Sequence, residues 1–455
     1  MDVKKLSKFP YSSLDPGTSM IRLVRLSRAE DSTIVGELKH FSLDSSACPK
    51  YATLSYVWGE KHYSNAIILE GYCFPVLENL YPILEAICDN QELKTTTWWW
   101  IDSICINQDG DGTARAEKVF QVQLMERIYR QSERTVGWLG EGSEGRHGSG
   151  KSHLAGDGEE DAIDFLYLLL KNRWMLDDPW DRKTVATHEL GDRSKWAALE
   201  RLLLRPWWKR VWTLQEYVIP PKFMFYCGTK SIDRDDLKVA TYSIYLCRKI
   251  DPTLVKDEAF QPLWNRRRLL MWYREAPQKM PLLGLIAYGS DSKATDPKDR
   301  IYSLLGLAQD QGLATPDYSL DIRTTYTSLV KSFVDIYKSL DIICFAHLFH
   351  QDDVKSTFQP RLPSWVPDWR VEASSFVAPV MASQSAKDYI GNFRPVDRIR
   401  LNANAASYTA ARDYAPDITF SDDLQSLTCR GILVDLRRWY RRLGCHSLGW
   451  HFRSC

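Results

Sequence analysis

The feature that most constrains this chain is the run 98–108, WWWIDSICINQ, because three consecutive tryptophans and an isoleucine leave no side that water can cover. A strand with one wet face alternates apolar and polar residues, whereas a strand covered on both faces reads as a continuous apolar run. Residues 98–101 are therefore expected to form a short, fully buried strand of a parallel sheet. Asp102 then falls at its C-terminal end. In open α/β sheets the loops beyond those ends form the ligand crevice, which makes Asp102, Ser103, Asn107 and Gln108 candidates for polar chemistry.

Similar reasoning extends to the neighbouring segments. Residues 51–59, YATLSYVWG, read as a core strand that delivers Ser55, Tyr56 and Trp58 into a loop ending at a glycine. TVGWLG (135–140) and FMFYCG (223–228) read as two further buried strands. Between them lie helical patterns. Asn79 can cap a helix carrying Leu80, Ile83, Leu84, Ile87 and Cys88 on one stripe, and residues 115–131 carry Val119, Val122, Met125 and Tyr129 on another. Ser194 can cap a later helix that Pro206 breaks and WWKRVWTLQEYVI resumes. Strand and helix alternate throughout, and right-handed crossovers make that a doubly wound parallel sheet. MIRLVRL and TIVGELKHFSL ahead of it predict a hairpin, and beyond Thr229 the pattern turns helical at 237–250, 263–276, 298–308 and 323–338. The expected organisation is a β-rich lead (1–50), an α/β domain (51–228) interrupted by a flexible Gly/Ser-rich insertion (141–193), and a mostly helical region (229–455).

Composition removes several function classes. Charged residues are 26% of the chain and the formal net charge is +1, which excludes a general binder of nucleic acid or of membrane surfaces. No apolar run approaches the length of a membrane span and the N-terminus lacks a signal-like core, so a cytoplasmic location is expected. The ten cysteines are scattered, without CxxC pairs and away from the nine histidines, so no disulfide framework and no metal site are expected. Of 17 tryptophans, 11 fall between Tyr51 and Tyr217, which places the bulky core there. The basic, aromatic end, 436–455, reads as a solvated terminus.

Two constellations bear on chemistry. GRHGSGKS (145–152) satisfies the phosphate-cradling pattern GxxxxGK[ST], but it neither follows directly on a strand nor opens a helix, so it reads as a linker. Trp212 and Glu216 in RVWTLQE are four residues apart and share a helical face. From spacing alone the pair reads as a core tryptophan beside an ion-paired acid in preference to an aromatic wall beside a functional carboxylate.

At these residues the sequence resembles a known family. YATLSYVWG, WWWIDSICINQ with QVQLMERIY, TVGWLG and RPWWKRVWTLQE look, in this order, like the fungal heterokaryon-incompatibility (HET) domain; TDPKDRIYSLLGLA, DYSLD and LPSWVPDW resemble blocks that often follow it. The resemblance implies a part in fungal non-self recognition and programmed cell death. It also implies a distant likeness to Toll/interleukin-1 receptor (TIR) domains, hence a flavodoxin-like fold. TIR domains that cleave NAD⁺ carry a glutamate four residues after a tryptophan on their third helix, which carries over to Glu216 as the catalytic candidate and Trp212 as its neighbour. Ser55, Tyr56, Trp58, Asp102, Asn107, Gln108 and Trp212 are then the expected substrate-binding set, with Trp58 or Trp212 stacking on nicotinamide. NAD⁺ enters as substrate, with no resident cofactor. The implied partners are other HET or incompatibility proteins, with homo-oligomers in the active state.

Overall fold

The residues least tolerant of water lie at the centre of a nine-stranded mixed sheet. The computed structural model describes residues 6–15, 17–109, 112–141, 160–173, 189–275, 280–346, 349, 360–371 and 417–430. The strands are β1 (Met20–Arg28), β2 (Ile34–Ser42), β3 (Tyr51–Ser55), β4 (Asn65–Leu69), β5 (Tyr72–Val76), β6 (Trp98–Trp100), β7 (Arg134–Gly140), β8 (Phe223–Cys227) and β9 (Lys230–Asp233), in spatial order β5-β4-β2-β1-β6-β3-β7-β8-β9. Four neighbours, β6, β3, β7 and β8, run parallel, with Thr53 opposite both Trp100 and Thr135. All five residues of β3 are buried, as a strand at the middle of such a sheet must be. The Thr53 and Thr135 hydroxyls bond across it at 2.6 Å. In β7, Gly137 leaves the space that the Phe223 ring fills.

The sheet departs from the expected all-parallel one at both ends. The leading hairpin lays β1 antiparallel against β6, Val24 opposite Trp99, and β9 returns antiparallel on β8. Unpaired strand edges are a liability, and the hairpin covers the edge of β6 while burying Ile21, Leu23 and Val24. Its Arg22 is buried too. The β4–β5 hairpin turns through Glu70 and Gly71, both at positive φ, the geometry that matches strand twist.

Helix α1 (Tyr81–Asp89) buries Ile83, Leu84, Ile87 and Cys88, the stripe read from the sequence. Asn79 does not cap it. Its amide donates to the Val57 carbonyl at 3.3 Å and lies against Gly59, at φ 71°, so it fastens the loop after β3. One turn, α2 (Asp102–Cys105), follows β6 directly, and α3 (Gly112–Gln131) leads to β7. Beyond α4 (Glu160–Lys171) comes α5 (Arg193–Leu203), capped by Asp192, whose carboxylate accepts from the Ser194 N–H at 2.9 Å; Ser194 itself stands inside the first turn. Pro206 interrupts the chain as expected, but the chain then continues as a 3₁₀ turn (Pro206–Lys209), a bend and a six-residue helix, α6 (Thr213–Val218), rather than as one resumed helix. The helical region holds α7 (Arg234–Ile250), α8 (Asp257–Glu275), α9 (Leu282–Tyr288), α10 (Asp299–Tyr302) and α11 (Ile322–Tyr337). Helix α8 contains Pro262 and so begins ahead of the expected 263. Trp369 packs edge-on against Tyr326 of α11 at 4.9 Å, and a small hairpin of β10 (Ile418–Phe420) and β11 (Leu427–Cys429) touches Trp365 through Phe420. GRHGSGKS, most of the insertion 141–193 and the basic end lie outside the described residues.

Candidate functional site

Three chain segments meet beyond the C-terminal ends of β3 and β6. Ser55 is the last residue of β3 and donates its hydroxyl to Oε2 of Glu216 on α6. The indole N–H of Trp207 donates to the same Ser55 Oγ at 3.0 Å, so the hydroxyl's only proton is directed at the carboxylate. Tyr56, next along the chain, donates its OH to Ser103 Oγ at 2.7 Å, and the Trp58 indole donates to Asp102 Oδ2 at 2.8 Å. The other Asp102 oxygen accepts from the Ser103 N–H at 2.7 Å. Arg210, between the 3₁₀ turn and α6, donates to the Tyr56 carbonyl and lies within electrostatic reach of both carboxyls.

Burial dominates the electrostatics. Glu216 is 3% exposed, and desolvation lifts its pKa from 4.5 to about 7, against the opposing pull of Arg210 and of the Ser55 hydroxyl. Asp102 adds to the rise, so the two carboxyls share one field. Burial raises Asp102 as well, opposed by Arg210 and by the Trp58 indole. The Tyr129 hydroxyl on α3 is raised well above 10 by burial first and then by Glu216 and Asp102.

Of the residues singled out from the sequence, Ser55, Tyr56, Trp58, Asp102 and Glu216 come together. Trp212 and Asn107 point elsewhere, and Gln108 touches the group only through the Asp102 backbone. Trp212 lies one turn before Glu216, the Glu216 N–H donating to its carbonyl at 3.3 Å, but its indole lies near the Asp299 carboxyl of α10, whose proton affinity it lowers. The Asn107 side chain accepts from the Asp109 N–H at 2.9 Å, and its backbone N–H donates to Glu117 at 2.8 Å. Gln108 is exposed, and its amide donates to the Ile106 carbonyl at 3.2 Å and to the Asp102 carbonyl at 3.4 Å. Sequence reasoning passed over Trp207 and Arg210, which sit inside the RPWWKR block as one more core tryptophan and one more arginine; only the fold shows where their N–H groups point. A cleft of about 210 Å³ between α3, α6 and residues 302–316 is lined by Gln215, not by Glu216. Among the described residues no group of His, Cys, Asp and Glu is arranged to hold a metal, and no helix is long and apolar enough to cross a membrane.

Fold and site define an α/β protein with two carboxyls, Asp102 and Glu216, within electrostatic reach of each other beyond the C-terminal ends of adjacent parallel strands. Residues 51–216 match the family described as Heterokaryon incompatibility protein (HET). Among curated proteins, "Heterokaryon incompatibility protein 6, OR allele" of Neurospora crassa is 27% identical over 435 residues, covering 79% of this chain and 59% of the relative. The chain thus spans less than two thirds of that relative's length. No solved structure matches. The HET match runs from the first residue of β3 to Glu216.

Proposed function

We propose that this chain acts in fungal heterokaryon incompatibility and that it triggers cell death by hydrolysing NAD⁺, with Glu216 as the catalytic carboxylate. One observation carries the reading: a buried carboxyl with a pKa of about 7 stands beside the end of β3. Taken in chain order, the parallel strands β3, β6, β7 and β8 lie second-first-third-fourth, the beginning of the flavodoxin-like order. Ser55 and Glu216 then flank its switch point, where such sheets bind ligands, and this is also what a TIR-like ancestry implies. Perturbed carboxyls concentrate at functional sites because chemistry requires the perturbation.

In the proposed reaction the ribose hydroxyls bond to ionised Glu216, Ser55 holds the carboxylate in place, and Trp58 offers an aromatic face. As the bond from C1′ to the nicotinamide nitrogen breaks, its electron pair neutralises the ring nitrogen. Water adds to the oxocarbenium-like C1′, giving ADP-ribose, nicotinamide and one proton. A preorganised carboxylate stabilises the developing cation. Turnover needs the ionised acid, so its rate rises with pH through about 7. Glu216 is 3% exposed in the resting structure, and the sugar reaches it only when the centre opens.

That burial favours a second reading, a death-signalling module acting by association with other HET proteins or with its own copies, in which the centre only holds the fold. Purified full-length chain incubated with NAD⁺ separates the two. The enzymatic reading expects nicotinamide release that Glu216→Gln lowers by about 100-fold or more. No release from the unaltered chain, with toxicity intact in Glu216→Gln, overturns it in favour of the module.

A further inference from the structure

Helix α8 lies beyond the family-matched segment, yet it sends a side chain into the turn that builds the centre. Arg266 is 1% exposed and, among the described residues, forms no salt bridge. Its Nη2 donates to Thr213 Oγ1 at 2.7 Å and to the Arg210 carbonyl at 3.2 Å, while Nη1 donates to the Pro262 carbonyl of its own helix at 3.2 Å. Its guanidinium carbon stands 5.4 Å from the ring centroid of Trp207 and 6.0 Å from that of Trp208. A buried cation without a direct counter-ion is costly, and indole faces with neutral acceptors offset only part of that cost. Burial accordingly pushes the guanidinium down to about 10.

The cost is incurred where the centre is most in need of a brace. Thr213 Oγ1 also reaches the Trp207 carbonyl at 3.1 Å and the Arg210 carbonyl at 2.7 Å, so the guanidinium and this hydroxyl together close the turn 207–213. Two side chains leave that turn for the centre: Trp207, which orients the Ser55 hydroxyl, and Arg210, which holds the Tyr56 carbonyl. We propose that Arg266 is the positioning residue of the Glu216 centre, so that the helical region completes a site whose polar groups all belong to the HET domain. The inference rests on that centre being the functional one, but its first readout does not use turnover.

The same cation lies within electrostatic reach of Glu216 and favours its ionised form. The test follows the carboxyl itself, by isotope-edited infrared spectroscopy of ¹³C-glutamate-labelled full-length chain between about pH 5 and pH 9, with Glu216→Gln identifying the band. Arg266→Met is expected to raise the midpoint of Glu216 ionisation by about half a pH unit or more, because a cation is lost and the braced turn loosens. Arg266→Lys retains the charge without the planar fork and is expected to fall between that variant and the unaltered chain. Thr213→Val removes the shared hydroxyl, leaves every charge in place, and is expected to lower kcat more than KM in nicotinamide release. A folded Arg266→Met protein that titrates like the unaltered chain overturns the inference. Should Arg266→Met not fold, unchanged titration in both Arg266→Lys and Thr213→Val overturns it equally. Absence of nicotinamide release from the unaltered chain overturns the NAD⁺ reading alone, because the titration is measured without substrate.

Discussion

Two glutamates in this domain have almost the same exposure, 5% for Glu117 and 3% for Glu216, and opposite surroundings. Glu117 on α3 receives both Nη atoms of Arg22 at 2.6 and 2.8 Å, together with the Asn107 N–H at 2.8 Å. Arg22 comes from β1 and is itself fully buried, donating further to the carbonyls of Cys105 and Ser12 at 2.9 and 2.6 Å. Glu216 receives a hydroxyl, and its cations act only from a distance. A carboxylate gripped by a guanidinium fork is a fastening, here between the N-terminal hairpin and α3. A carboxyl stripped of water and left with one neutral donor keeps a high proton affinity, which a fastening does not need and proton or cation chemistry does.

Breaking the fastening is expected to have the largest effect. Glu117→Gln leaves the Arg22 guanidinium buried without its counter-charge and is expected to lower stability by about 3–5 kcal/mol in urea unfolding. A loss under about 1 kcal/mol would remove the distinction between the two glutamates.

The second expectation concerns pH. Glu216 has a folded pKa of about 7 against an ordinary 4.5, so between those values the folded chain binds more protons than the unfolded one. Its contribution to stability is complete below about pH 4.5 and is lost as pH rises through about 7, a change of about 3 kcal/mol. Glutamine cannot ionise and still accepts from Ser55. Glu216→Gln is therefore expected to match the unaltered chain near pH 5 and to unfold at a higher temperature than it at pH 8. Parallel melting curves at all pH values would show that Glu216 does not hold its proton more tightly in the folded chain than in the unfolded one.

The smallest expected effect lies at the rim of the centre. Trp58→Phe keeps an aromatic face but removes the donor at 2.8 Å from Asp102. Asp102 is only partly buried, so water replaces much of that bond, and a loss of about 1 kcal/mol is expected in thermal unfolding. The pH at which Glu216 ionises should rise slightly if Asp102 reorients towards it. A loss as large as that of Glu117→Gln would show that Asp102 is a fastening too.

What could be read in the residues themselves was local. WWWI, YATLS, TVGWL and FMFYC are apolar runs that only a two-faced sheet can cover, and they lie side by side and parallel as expected. Ser55 and Asp102 could be singled out as strand-end residues, whereas Glu216 stood out only through the resemblance that the RVWTLQE block carries. Caps were harder: Asn79 donates its amide to the Val57 carbonyl instead of capping α1, and Asp192, not its neighbour Ser194, accepts the first-turn N–H of α5. The edge-covering hairpin, the bend after Pro206 and the indole of Trp212 turned towards Asp299 depend on contacts between residues far apart in the chain, which no local pattern encodes.

The sequence by itself determined which segments must be buried, because side-chain hydrophobicity and spacing are properties of the residues alone. Whether a buried carboxyl becomes a fastening or a proton-holding centre was decided only by the tertiary structure. Proton affinity depends on the water removed and on the charges brought close, and for Glu216 those charges arrive from the turn before α6 and from helix α8.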